Sequence, residues 1–349
     1  MSRRAAVALA VVVVLAVAGL AAWRLSSSGT PLSRALALVP AETSRSSWTD
    51  WEGVRRELGS DVGRGSSAEE VDAFVSEAFG SDLTSMSALG TSAGTMQELL
   101  GLSPATLSWE LLAQSDGGAV EAMGVGDDLD LSDVADRLAD AGWTEPEVDD
   151  GVWVGGPDVL ARLGSTITPE LQHLVLLRDQ DLVLASDQVA YLEAATEVAR
   201  GTAAGADDLA DLATGLAEPL AAAVFTGDYT CERLAMAQAD ADAQDEAAQL
   251  VAESGGVHPL TGFAMGLLPG GHVRALLQVE DADDAPADAD ARARLASGPA
   301  PGQGGEFTDR FALERAGSQG RVITLDLRAR PGAYVLSDLT SGPVLFATC

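Results

Sequence analysis

The sequence predicts an α+β fold: an N-terminal transmembrane helix, then a duplicated unit of strand-helix, β-hairpin, helix, further antiparallel strands and helix. Three features carry this prediction: a long apolar run at the N-terminus, helical and strand periodicities that alternate along the chain, and a second half that repeats the order of the first. The predicted boundaries are a signal-anchor at 1–24, a flexible linker at 25–35, a first α+β unit at 36–204, a helical connector at 205–218 and a second α+β unit at 219–349.

The apolar run covers residues 5–23, which carry no charge and span about 28 Å as a helix at ~1.5 Å per residue. Because this length matches the hydrocarbon core, we expect residues 5–23 to contact the lipid bilayer. Arg3 and Arg4 favour a cytoplasmic N-terminus, which places the C-terminal body outside the cell membrane. Small residues at 16–18 and 19–21 leave open secretion after cleavage of a signal peptide.

Composition narrows the class of partner. The chain has 349 residues, enough for one large domain or two ordinary ones, and a formal net charge of -32. All 21 basic residues are arginines. A surface this acidic repels phosphate backbones, which argues against nucleic acid as a partner.

Individual elements follow from local patterns. Ser67 and Glu70 fit a capping box ahead of an apolar stripe, which predicts a helix over 68–79. A similar stripe predicts a helix over 131–141, and hairpins are expected around residues 115–118 and 269–271. The terminal apolar run at 344–347 has the character of a strand.

The second half repeats this order. Phe225-Thr226 aligns with Trp48-Thr49, and Arg294-Leu295-Ala296 aligns with Arg137-Leu138-Ala139. The two hairpins align as well, which predicts a duplicated unit. Convergent amphipathic patterning in a sequence rich in Ala and Asp is the alternative.

The two cysteines, Cys231 and Cys349, are even in number and belong to an exported chain, so a disulfide between them is the leading interpretation. Closing a loop of ~100 residues stabilises a fold by on the order of 4 to 5 kcal/mol in the chain-entropy model. Two unrelated buried thiols are the alternative. A redox or metal role needs clustered Cys and His, and the sequence has no such cluster.

The sequence gives little support for a catalytic residue. Ser92 lies in a GxSxG match at 90–94, but the residues before it are polar, whereas a nucleophile elbow needs an apolar strand there. His258 and His272 flank a predicted strand of about 27 Å and cannot share a metal ion. His173 has no Cys or His close in sequence, so we predict no catalytic, cofactor or metal site.

Acidic clusters at 127–133, 240–246 and 280–292 invite a calcium interpretation, but counting from Asp240 fails the EF-hand pattern. Each cluster begins a predicted helix, where carboxylates cap the first amides, and weak cation association stays open. The following tryptophans fall in or beside strand-like segments and are expected to fill cores: Trp48, Trp51, Trp109, Trp143 and Trp153. A carbohydrate-stacking surface is the alternative.

Four strings distinguish the chain: "TDWEGVRREL", "DYTCERLAMAQAD", "HPLTGFAMG" and the terminal "SDLTSGPVLFATC". With the N-terminal anchor, they resemble a group of uncharacterised exported, single-anchor proteins of actinobacteria. The resemblance implies export and a disulfide but no active-site residues. We therefore expect a membrane-tethered, non-enzymatic binding or structural protein of the cell envelope, with an envelope protein or the cell wall as partner. An exported serine hydrolase using Ser92 is the alternative.

Overall fold

The computed structural model describes residues 29–164 and 167–349. Its helices are α1 (Pro31–Leu36), α2 (Trp51–Leu58), α3 (Ala68–Phe79), α4 (Ala93–Leu100), α5 (Leu131–Ala141), α6 (Pro157–Leu163), α7 (Val189–Ala199), α8 (Asp207–Ala213), α9 (Gly227–Tyr229), α10 (Ala241–Glu253), α11 (Ala285–Leu295) and α12 (Val335–Thr340). Its strands are β1 (Arg45–Thr49), β2 (Leu107–Ser115), β3 (Gly118–Val125), β4 (Val152–Val154), β5 (His173–Leu177), β6 (Leu182–Ser186), β7 (Ala221–Thr226), β8 (Leu260–Leu268), β9 (His272–Val279), β10 (Phe311–Gln319) and β11 (Val322–Ala329).

In the described residues all strands form one 11-stranded antiparallel sheet, in the order β10-β11-β9-β8-β7-β1-β2-β3-β6-β5-β4. β1 and β7 pair at its centre, with Ser47 opposite Ala223. Outward from this pair, the first half contributes β2, β3, β6 and β5, and the second half contributes β8, β9, β11 and β10. The sheet therefore has the same strand order on both sides of its centre, with β4 added at one edge.

Helix α3 has the predicted bounds. Ser67 and Glu70 form the reciprocal capping box, and Val71, Phe74 and Ala78 are buried on one side. The amide of Glu70 donates to the Ser67 hydroxyl, and the amide of Ser67 donates to the Glu70 carboxylate, which satisfies two free amides at the helix start. The prediction of this helix is confirmed.

The caps after the two central strands reveal an error in the predicted alignment. Asp50 directly follows β1 and accepts from the amide of Gly53, while Thr226 is the last residue of β7 and accepts from the amide of Tyr229. Asp50 therefore corresponds to Thr226, and the alignment of Trp48 with Phe225 is wrong by one residue. Because strand side chains alternate between faces, this shift places Trp48 and Phe225 on opposite faces of the sheet.

Helices cover both faces of the sheet. In the described residues α1, α7 and α8 contribute core residues to one face, which we call the three-helix face. The other, the eight-helix face, receives core residues from α2 to α6 and α10 to α12. Both core clusters contain residues of 36–204 and of 219–349, so the two predicted units share the core on each face of the sheet.

The predicted fold class needs correction. The structure contains one continuous sheet covered by helices, where the prediction placed a transmembrane helix ahead of successive units. Among the described helices none is long and apolar enough to cross a membrane. The predicted span at 5–23, like the whole signal-anchor at 1–24, lies outside the described residues, so the transmembrane helix has no support in this structure.

The predictions for two short segments are also wrong. The second half of the predicted linker at 25–35 folds into α1, because Thr30 caps the helix and Leu32 and Leu36 are fully buried against the sheet. The terminal run, predicted as a strand, instead forms a 3₁₀ turn at Leu345–Ala347. Phe346 lies in the core there, with its ring centroid 5.3 Å from that of Phe307.

Candidate functional site

The C-terminus is joined to the body of the protein. Cys231 and Cys349 form a disulfide with their Cα atoms 5.6 Å apart. Five residues before the end, the amide of Val344 donates to the carbonyl of Leu234 at 2.9 Å. The terminal segment therefore holds the turn at residues 230–234, which follows the central strand β7.

A buried arginine joins the same terminus to α11. Arg292 is 0% exposed, and its guanidinium donates to the carbonyls of Phe346 and Thr348 at 2.8 and 2.9 Å. Burial lowers the pKa of Arg292 to about 10, and Asp288 lies 3.3 Å away as its counter-ion. The two hydrogen bonds from Arg292 therefore hold the chain end against α11, and Asp288 compensates the buried charge.

The three histidines lie in different segments of the chain, and two of them have side-chain partners. His258 contacts Asp288 through Nδ1 at 2.7 Å, and this hydrogen bond raises the pKa of His258. His272 lies beside Glu314 and Arg328 on the exposed side of β9. His173 begins β5, and burial lowers its pKa. Within the described residues, no group of three or more His, Cys, Asp and Glu is placed to hold a metal ion.

Ser92 does not have the geometry of a nucleophile elbow. It ends a 3₁₀ turn at Gly90–Ser92, is 0% exposed, and accepts a hydrogen bond from the amide of Thr168 at 3.0 Å. The preceding segment contains no strand in the described structure. A buried hydroxyl fixed in this way is not presented to a substrate, which removes the support for the serine hydrolase alternative.

The acidic clusters begin helices, as their pattern indicates. Asp130 caps α5 by accepting from the amide of Ser132, and this bond lowers the pKa of Asp130. Asp240 caps α10 by accepting from the amide of Ala243. In the third cluster Asp284 makes no side-chain cap, and Asp288 is buried against Arg292.

Two buried glutamates were not predicted from the sequence. Glu110 on β2 and Glu121 on β3 lie diagonally on the eight-helix face and are 1% and 0% exposed. Burial raises the pKa of Glu110 to about 7, although Trp51 and the amide of Ala88 donate to its carboxylate. Burial, then the charge of Glu110, raises the pKa of Glu121 well above its usual value. The available signal was a Glu among apolar residues in each arm of one hairpin.

Four of the five tryptophans weighed above are core residues, and Trp109 differs. Trp109 is half-buried on the three-helix face, and its ring stacks on that of Trp48 with centroids 5.3 Å apart. It packs on the backbone of Gly124, where an added Cβ would lie 2.1 Å from the indole nitrogen. The nitrogen of Trp48 donates to the carbonyl of Pro219 at 3.1 Å. The two indoles are thus fixed side by side.

These indoles line a cavity of about 920 Å³, which we call the indole cavity. Helices α1, α2 and α8 contribute its other walls, and Ser33, Ser108 and Thr214 add hydroxyl groups. Its charged lining residues are two bases and five acids: Arg34, Arg56, Asp50, Glu52, Asp207, Asp211 and Glu218. An aromatic surface surrounded by hydrogen-bond acceptors suits a ring with an apolar face and polar edges.

Comparison with known proteins gives no family. No family model matches the sequence, and no curated protein matches it. Crystal form I of TP0453 superimposes with a TM-score of 0.42 and 8% identity, covering 89% of this chain and 97% of that one. Crystal form III gives a TM-score of 0.43 and 7% identity over 88% and 97% of the two chains. Similarity at this level transfers neither residues nor function.

Proposed function

We propose that this chain is a non-enzymatic binding protein of the cell envelope and that the indole cavity binds a carbohydrate. The observation that carries the proposal is the pair of fixed, stacked indoles in a cavity of small-molecule size. An indole presents a broad apolar face at little entropic cost, because Gly124 and Trp48 already hold Trp109 in place.

The polar walls fit the same ligand class. Asp207, Asp211 and Glu218 offer carboxylate oxygens, which accept hydrogen bonds from sugar hydroxyls. Burial raises the pKa of Asp50, whose carboxylate also lines the cavity and caps α2. A neutral, hydroxyl-rich ligand gains these contacts without placing another negative charge in an acidic protein.

The disulfide supports a location outside the cytoplasm. Disulfides persist in oxidising compartments and are rare where glutathione keeps thiols reduced. The resemblance to exported actinobacterial proteins points the same way. Alkylating the protein at the moment of cell lysis should leave Cys231 and Cys349 unlabelled until a reductant is added; immediate labelling of both would contradict this location.

Binding is tested by titrating the purified protein with N-acetylglucosamine oligomers of increasing length, followed by tryptophan fluorescence and calorimetry. We expect saturable binding that strengthens with length and is lost in Trp109→Leu, which keeps an apolar side chain on β2. Phe79→Ala is the matched control, because it removes an exposed aromatic ring outside the cavity. No binding by any oligomer, or equal binding by Trp109→Leu, would contradict the proposal.

A further inference from the structure

A second cavity lies at the opposite end of β1, on the eight-helix face. Its outer part has a volume of about 410 Å³ and its inner part about 200 Å³. Both parts are lined by Arg45, Met86, Tyr229 and Thr340. We call the two parts together the basic cavity, because Arg45 and Arg233 are the charged residues that line it.

The charge of this cavity is opposite to that of the chain. Acidic residues outnumber basic ones by 53 to 21 in the sequence, yet no described Asp or Glu lines either part. Glu232 and Asp338 are close in sequence to lining residues, but Asp338 faces Arg310 at 3.7 Å. Within residues 29–164 and 167–349, neither Arg45 nor Arg233 forms an ion pair.

Arg45 is held in place by neutral groups. Its Nε donates to Oε1 of Gln114 at 2.6 Å, and its Nη1 donates to the hydroxyl of Tyr229 at 2.9 Å. Its guanidinium carbon also lies 5.7 Å from the centroid of the Tyr229 ring. These contacts orient the guanidinium without neutralising it, and they leave N–H groups free of protein partners in the described structure. A fixed, uncompensated guanidinium is a ready partner for an oxyanion.

The inner part of the cavity is largely apolar. Leu112, Ala223 and Phe225 line it beside Met86. Its volume corresponds to roughly six or seven water-sized groups at about 30 Å³ each. A ligand that fills both parts therefore needs a charged end and a short apolar body.

We infer that the basic cavity binds a small amphiphilic anion, with a phosphate or carboxylate group between Arg45 and Arg233 and a short apolar body in the inner part. The overall charge of -32 repels polyanions, so a ligand with a single anionic group fits best. The site is independent of the proposed carbohydrate binding, because it lies on the other face of the sheet and shares no lining residue with the indole cavity.

The disulfide supports one wall of this site. Tyr229 and Arg233 lie on either side of Cys231, in the turn that follows β7. The bond to Cys349, together with the bond from Val344 to Leu234, holds that turn to the C-terminus. The position of Arg233 relative to Arg45 therefore depends on the terminal cysteine.

Calorimetric titration tests the inference with butyl phosphate, pentanoate, inorganic phosphate and butanol. We expect butyl phosphate or pentanoate to bind more tightly than inorganic phosphate, and butanol not to bind. Arg45→Gln and Arg233→Gln should each weaken binding roughly 10- to 100-fold, since each removes a charge-assisted contact. Vesicles containing phosphatidylglycerol distinguish the sources of the anion. If the wild-type protein binds these vesicles and both variants do not, the natural anion is a lipid head group. If the wild-type protein does not bind the vesicles, the natural anion is a free small molecule.

Arg321→Gln is the matched control, because Arg321 is exposed, forms no ion pair in the described residues and changes the net charge equally. Circular dichroism verifies that every variant is folded. The inference is overturned if neither butyl phosphate nor pentanoate binds, if butanol binds as tightly as butyl phosphate, or if Arg321→Gln weakens binding as much as Arg233→Gln does.

Discussion

The indole cavity and the basic cavity lie at opposite ends of the same central strand and on opposite faces of the sheet. Alternation along β1 explains the difference in face, since Trp48 lies three positions after Arg45 and an odd offset reverses the face. Five acids and two bases line the indole cavity, whereas two bases and no described acid line the basic cavity. The indole cavity thus resembles the whole protein in charge, and the basic cavity does not.

A strongly acidic chain can hold a positively charged site when its carboxylates lie elsewhere. The basic cavity has few bases, and its character comes from the exclusion of carboxylates. Glu110 and Glu121 lie on the strands behind it. The amide of Ala88, which lines the cavity, donates to Glu110, and Leu112, which also lines it, pairs with Glu121. Burial raises both pKa values, which keeps negative charge from forming beside Arg45 at mildly acidic pH.

The largest expected effect comes from removing the disulfide, which lies beside the basic cavity and not beside the indole cavity. The double variant Cys231→Ser and Cys349→Ser should lower the free energy of unfolding by on the order of 5 kcal/mol in the chain-entropy model, because the bond joins residues 118 apart. Urea denaturation measures this loss. In the folded variant, butyl phosphate binding should weaken while oligosaccharide binding stays the same. Equal losses at both cavities would show that the disulfide acts on the whole fold.

The second effect is a fall in the free energy of unfolding with rising pH. It is caused by Glu110 and Glu121, which lie on the same face of the sheet as the basic cavity. Between pH 4.5 and about 7, Glu110 is deprotonated in the unfolded chain and protonated in the folded one. The contribution of Glu110 to the free energy of unfolding is therefore fully present below pH 4.5 and is lost as the pH rises through about 7. The loss is on the order of 3 kcal/mol for Glu110. Urea denaturation from pH 4 to 8 measures it.

Glu121→Gln provides the sharper version of that test. Neither carboxyl oxygen of Glu121 has a hydrogen-bond partner in the described residues, so the substitution removes the ionisable group without breaking a hydrogen bond. It should raise stability at pH 8 and flatten the pH profile. Glu193→Gln is the control and should leave the profile unchanged, because Glu193 is exposed on α7 and forms no ion pair in the described residues. A wild-type profile that rises from pH 5 to 8 would contradict this assignment.

The sequence could predict features that depend on neighbouring residues. The helix at 68–79 was predictable because its cap and its apolar stripe are both local. The pattern of an aromatic residue followed by Thr led to a one-residue error, because the true equivalence is set by the helix caps Asp50 and Thr226. The basic cavity could not be predicted, since Arg45 and Tyr229 are 184 residues apart and meet only through the pairing of β1 with β7.

A smaller effect is expected at Gly124, which positions the indole cavity. In Gly124→Ala the new methyl group would lie 2.1 Å from the indole nitrogen of Trp109, so the ring must move, at a cost of about 1 to 3 kcal/mol. Oligosaccharide binding should weaken, with no change in butyl phosphate binding. Gly317→Ala is the matched control, because that strand glycine has no neighbour within 4 Å of an added Cβ. Unchanged oligosaccharide affinity in Gly124→Ala would remove Trp109 from the binding surface.

The smallest effect is a difference in salt dependence between the two cavities. Raising the ionic strength from about 0.01 to about 1 M shortens the screening length from roughly 30 to 3 Å. Butyl phosphate binding should weaken, by about 1 kcal/mol or less if Arg233 stays solvent-exposed in the complex. Oligosaccharide binding should not change, because it involves a neutral ligand. Calorimetry at several salt concentrations measures both, and a parallel response of the two ligands would mean that charge does not distinguish the two cavities.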